Sequence, residues 1–181
     1  MSAIFLIVGA PAVGKSSTAH ALAARFPKSV HIPVDNLRGM VVNGLIYPGA
    51  DWSPGLVEQL SLARQAAVQM AIAYNLAGFT VAIDDFWDPV SQLIEYAGLF
   101  QVPEFHKILL FPARQVALAR NQKRSGPNQA NEYIAGGIQV VYEALQSNLG
   151  GLKDSGWMVV DTSEKDIEAT VENILSLSKM G

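Results

Sequence analysis

The sequence predicts an α/β domain of three layers: a parallel sheet of five strands with helices on both faces. Three observations carry this reading. Five short apolar runs, at 3–8, 30–34, 79–83, 108–111 and 157–160, alternate with stretches of helical periodicity. Most are too continuously apolar for strands with one wet face, and suit strands buried on both faces. The first run passes through a glycine-rich turn directly into a helix. Three runs end in acids, Asp35, Asp84-Asp85 and Asp161, and ligands of such sheets gather beyond the carboxyl ends of the strands.

The first unit is the most specific. After Ile7 and Val8 comes Gly9-Ala10-Pro11-Ala12-Val13-Gly14-Lys15-Ser16, and then a stretch with apolar residues at 19, 22, 23 and 26, as on one helical face. Strand, GxxxxGKS loop and helix in that order predict a phosphate-binding loop. Glycines let the backbone wrap an anion closely, so that N–H groups and the positive end of the helix both point at it. The expected donor set is Gly9, Ala10, Ala12, Val13, Gly14, Lys15, Ser16 and Ser17. Lys15 is expected to reach the β and γ oxygens of a nucleotide, and the Ser16 hydroxyl to ligate Mg²⁺.

Composition limits what such a loop belongs to. The 181 residues, 50% of them hydrophobic, make one ordinary domain with ample core. A net charge of −3 gives no overall attraction for nucleic acid or an acidic membrane. The absence of cysteine excludes disulfides, thiol catalysis and thiolate metal sites. No apolar run approaches the roughly 18 residues of a membrane span. The start of the chain has an apolar run and Ala10-Pro11-Ala12 but no basic leader, so a cytoplasmic location is expected.

The remaining elements follow in order. Pro27 breaks the first helix, and Val30, Ile32 and Val34 alternate as a second strand that ends in Asp35. An insertion at about 36–78 is longer than a crossover requires and is expected to shape an acceptor pocket. It holds Met40, Tyr47 and Trp52, and a helix with Ser53 as N-cap and Pro54 in its first turn. Apolar positions 56, 60, 63, 67, 70 and 74 fit one face of that helix, and Gly78 closes it. Asp88-Pro89 reads as another cap. Ser163-Glu164-Lys165-Asp166 reads as a capping box before a last helix carrying Ile167, Val171, Ile174 and Leu175.

Several carboxylates and arginines are candidates for chemistry. Asp35, at the tip of the second strand, either accepts the proton of an attacking alcohol or caps a helix that starts at Asn36. Arg38, three residues on, is placed to hold an anionic acceptor or the transferring phosphoryl group. Asp84 ends its strand as a magnesium-binding acid does, and Asp85 either shares that duty or faces the acceptor. Arg114, Arg120, Lys123 and Arg124 form a basic stretch with no acid within it. Arg120 and Arg124 share a helix face and suit polyphosphate, on a lid at about 120–132 whose tip is Ser125-Gly126-Pro127-Asn128-Gln129.

Together, GAPAVGKSS, Ile32-Pro33-Val34-Asp35-Asn36-Leu37-Arg38, Asp84-Asp85 and Ala119-Arg120-Asn121-Gln122-Lys123-Arg124 resemble the P-loop small-molecule kinases. Within them the pattern is similar to the group containing chloramphenicol phosphotransferase, zeta toxins and the kinase domain of phage polynucleotide kinase. The resemblance implies a nucleoside-kinase-like P-loop NTPase fold with sheet order 2-3-1-4-5, ATP as donor with Mg²⁺, and Asp35 as base. It implies that Arg120 lies against the adenine or the phosphates, and that the loop holding Thr162 borders the adenine. Asn36 stands where many relatives carry a second acid. The expected activity is transfer of the γ-phosphate of ATP to an alcohol of a small molecule, by a monomer or homodimer. A regulatory NTPase, or a nucleotide-binding switch with no such acceptor, is the alternative.

Overall fold

The computed structural model describes residues 2–47, 52–88, 91, 93–125 and 129–179. Strands β1 (Ile4–Gly9), β2 (Ser29–Pro33), β3 (Thr80–Asp84), β4 (Phe105–Leu110) and β5 (Trp157–Val160) form one sheet. Every neighbouring pair is parallel, and the order is β2-β3-β1-β4-β5. That is the order implied by the family resemblance. The connections between the strands hold α1 (Lys15–Ala23), α2 (Val34–Arg38), α3 (Pro54–Leu76), α4 (Arg114–Ser125), α5 (Gln129–Gln146) and α6 (Leu149–Asp154), and α7 (Ile167–Leu177) follows β5. A 3₁₀ segment, Ile94–Gln101, lies between β3 and β4.

All residues of β1 and β3 are buried, so the centre of the sheet is the centre of the core. Ala19 and Leu22 of α1 and Val171 and Ile174 of α7 close on it, and α1 packs against both β3 and α7. Burying a side chain of this size is worth about 1.5–3 kcal/mol. The strongest apolar runs therefore also fix where the strand ends lie. No described helix is long and apolar enough to cross a membrane.

Local departures from the sequence reading have physical reasons. β2 stops at Pro33, opposite Asp84. β3 itself ends there, so Val34 and Asp35 have no partner strand and turn into α2. β4 starts earlier than its apolar run, at Phe105, because Phe105, His106 and Lys107 pair with Ile4, Phe5 and Leu6. On α3, Ser53 caps as expected, accepting from Leu56 N at 3.2 Å. Its buried stripe runs through Leu60, Ala63, Arg64, Ala67, Val68 and Ala71, leaving Met70 and Tyr74 partly exposed. The cap of α7 is Asp166, which accepts from Ala169 N at 2.8 Å. Ser163 is not that cap: its amide and hydroxyl both donate to Asp161 Oδ1. Asp88 accepts from the amide of Ser91, as a cap would, whereas Pro89 lies outside the described residues.

Candidate active site

The glycine loop joins β1 to α1 over the carboxyl edge of the sheet. A side chain at Gly9 would place its Cβ 2.6 Å from the carbonyl oxygen of Leu110 in β4, so the loop can leave the sheet this tightly only with glycine there. Ala12 (φ 63°) and Gly14 (φ 98°) adopt left-handed backbone. For Ala12 this costs of order 1 kcal/mol. Gly14 precedes α1 with no side-chain cap and faces open space, since a Cβ there would meet nothing within 4 Å. The first turn of α1 is thus presented outward, the arrangement that receives anions at helix N-termini. Lys15 lies half-buried, donating Nζ to the carbonyl of Ala10 at 2.9 Å. Burial pulls its ammonium below the usual lysine range, while Asp84, Asp35 and Asp85 pull the other way and Arg124 adds to the lowering.

Two clefts flank the loop, each of about 580 Å³. The first is lined by Val13, Gly14, Ser17, Arg120 and Thr162, with the start of α7. Arg120, on α4, donates Nη2 to the carbonyl of Thr162 at 2.9 Å and Nη1 to that of Val13 at 3.3 Å. One guanidinium thereby ties the glycine loop to the turn after β5. Two hydrogen bonds from Ser163 hold that turn and keep the Asp161 carboxyl below its usual range. Ser163 Oγ also accepts from Ala113 N at 2.8 Å, which anchors the segment leading into α4.

The second cleft gathers Ala12, Lys15, Ser16, Asp35, Arg38, Asp84, Asp85 and Arg124. Ser16 Oγ donates to Asp84 Oδ2 at 2.6 Å, and Asp84 Oδ1 meets Nε2 of His31. Asp35 is exposed in the first turn of α2, whose N-cap is Pro33 with no side-chain cap bond. The capping alternative for Asp35 is therefore not what the structure contains. Arg38 donates Nη1 to the carbonyl of Ile46 at 2.9 Å, and Gln59 of α3 braces the same loop through Ile46 N and Gly44 O.

Asp85 borders this cleft, but its oxygens are engaged from within. Oδ2 accepts from Arg64 Nε at 2.7 Å and Tyr96 OH at 3.0 Å, and Oδ1 from Phe86 N at 2.8 Å. Arg64 also donates Nη1 to Asp88 at 2.7 Å. Burial raises the Asp85 carboxyl to about 6 against the opposing pull of Arg64. Burial lowers the Arg64 guanidinium, but Asp85 and Asp88 outweigh it and hold the group above its ordinary value.

Of the loop residues expected to form the site, Gly9 and Ala10 are buried beneath it. Val13, Gly14 and Ser17 face the first cleft with Arg120 and Thr162, and the other site candidates line the second. Met40 and Tyr47, expected near an acceptor, are 71% and 76% exposed and border neither cleft; Trp52 alone of the three does so. The expected lid tip lies partly outside the described residues. Sequence reasoning missed Arg64, His31, Asn121 and Glu132. A charged residue between Ala63 and Ala67 on a core-facing stripe was the available sign for Arg64; the others carry none.

No family model matches the chain, and no curated protein matches its sequence. Solved structures match in shape. The tunicamycin resistance protein of Deinococcus radiodurans aligns with a TM-score of 0.67 at 19% identity, over 99% of this chain and 98% of its own. A gluconokinase from Sinorhizobium meliloti gives 0.62 at 16% identity, over 98% and 91%. A shikimate kinase from Bacteroides thetaiotaomicron gives 0.61 at 12% identity, over 98% and 98%. The fold is that of P-loop small-molecule kinases. At these identities the likeness concerns architecture, and activity has to be argued from the site.

Proposed function

We propose that the protein is an ATP-dependent phosphotransferase that moves the γ-phosphate to an alcohol of a small molecule. The observation that carries this is the meeting of Lys15, Ser16, Asp35, Asp84 and Arg124 around one cleft against the glycine loop. The first cleft, across the loop, holds Arg120 and Thr162. In this reading the first cleft takes the nucleoside, the loop takes the phosphates, and the second cleft takes the acceptor. The narrower likeness to chloramphenicol phosphotransferase and zeta toxins rests on sequence motifs alone.

The residues fit magnesium. Ser16 and Asp84 offer two hard oxygens held together at 2.6 Å. Among the described residues no group of three or more histidines and acids forms an all-protein cage. One or two protein oxygens completed by phosphates and water is what this cation takes. When bound, it offsets the charge on the β and γ phosphates.

The chain's own groups do the rest. Lys15 exchanges the Ala10 carbonyl for phosphate oxygens, and the outward amides of the loop bind the same anion. Asp35 accepts the acceptor's hydroxyl proton as the oxygen attacks. Arg124, at the end of α4, stabilises charge on the transferring group. The test is Asp35→Asn: nucleotide affinity should be retained while acceptor-dependent ADP release falls by about 10²–10⁴. Fast hydrolysis that needs no acceptor and survives Asp35→Asn would favour a nucleotide switch instead.

A further inference from the structure

We propose that the acceptor is an uncharged alcohol whose hydroxyl stands on an apolar body bearing neither carboxylate nor phosphate. This rests on reading the second cleft as the acceptor site.

Two observations carry it. Much of the lining that the helical insertion, Phe86 and α5 contribute is apolar: Trp52, Leu56, Leu60, Phe86, Ile134 and Val141. Trp52 and Phe86 stand 6.0 Å apart, ring to ring, where an apolar body of the acceptor can lie against them.

The second observation is the charge balance. Lys15 and Arg124 serve the donor phosphates in this reading. That leaves Arg38, with one nitrogen committed to Ile46, against the exposed carboxylates of Asp35 and Glu132. Arg64 is 1% exposed and bound to Asp85 and Asp88. Residues 48–51, 89, 90, 92 and 126–128 hold no lysine, arginine or histidine. The stretches outside the described residues therefore cannot supply a cation either. An acceptor carboxylate would meet two acids against the single remaining arginine, a balance that disfavours it relative to an uncharged acceptor.

The experiment uses two probes with the same phenyl body and hydroxyl, 3-phenylpropane-1,2-diol and 3-phenyllactate, with gluconate as a polar acid control. Each is titrated calorimetrically into the full chain saturated with magnesium and a non-hydrolysable ATP analogue. The diol is expected to bind at least about tenfold more tightly than either acid. Trp52→Ala should weaken the diol about tenfold without changing nucleotide affinity, and Glu132→Arg should narrow the gap between diol and phenyllactate. Equal or tighter binding of an acid, or no binding of the diol to the nucleotide-loaded protein, overturns the proposal and leaves the kinase reading standing. Failure of the nucleotide analogue itself to bind overturns both.

Discussion

Ser16 Oγ donates a 2.6 Å hydrogen bond to Asp84 Oδ2, joining the start of α1 to the end of β3. Asp84 is fixed on its other oxygen by His31 of β2, so three elements set its orientation. Ser16→Ala and Asp84→Asn are expected to weaken nucleotide binding by at least about tenfold with magnesium present, and much less in EDTA. Calorimetry under both conditions checks this. Equal losses in both would make the pair a structural clasp with no part in metal binding.

Arg124 is exposed and lines the cleft, whereas Arg120 on the same helix is occupied by Val13 and Thr162. Arg124→Ala should therefore lower kcat far more than nucleotide affinity, by on the order of 10³. Arg120→Ala should raise the nucleotide Kd instead. Steady-state kinetics beside direct binding separates the two; equal effects of Arg124→Ala on both quantities would demote it to a binding residue.

The framework was legible because burial is written in continuous apolar runs and the glycine loop has a strict spacing. Residues 4–9 could hardly be anything but the central strand. What stayed hidden was whatever depends on a partner distant in sequence. Arg64 owes its place to Asp85 and Asp88, and residues 105–107 belong to β4 through their pairing with β1. Met40 and Tyr47 show the opposite limit, since aromatic and sulfur side chains in a long insertion do not say which way they point. The Asp35 cap reading failed because a strand end is decided by its neighbour: with β3 finished at Asp84, the chain turns at Pro33, one residue earlier than its own alternation predicts.

Arg64 is buried with two acids, so removing it takes a shared cation away from two carboxylates held out of water. Arg64→Ala is expected to destabilise the fold by about 3–5 kcal/mol. Replacing all three together, Arg64→Leu with Asp85→Asn and Asp88→Asn, should recover much of the loss. Urea unfolding of the single and triple variants checks this. A single variant within 1 kcal/mol of the parent would show that the acids find another partner.

The raised Asp85 carboxyl also predicts a pH dependence. Its ordinary value is 3.8 and burial raises it to about 6 in the fold, so between those pH values the folded state holds a proton that the unfolded chain releases. This contribution to stability is fully present below about pH 4 and is lost as pH rises through about 6. The stability difference between parent and Asp85→Asn should therefore fall across that window and level off above pH 7. Denaturant titrations at a series of pH values measure it, and a difference that stays flat between pH 4 and 7 would contradict the shift.

Because Gly9 holds β1 tightly against β4, the loop stands as a partition with separate chambers to either side. The residues bounding one chamber come from α4, the turn after β5 and α7, and those bounding the other from α2, α3, the end of β3 and the α4–α5 region. Among the described helices, α1 and α4 border both. Change in the helical insertion can thus remodel one chamber while the residues that line only the other stay as they are.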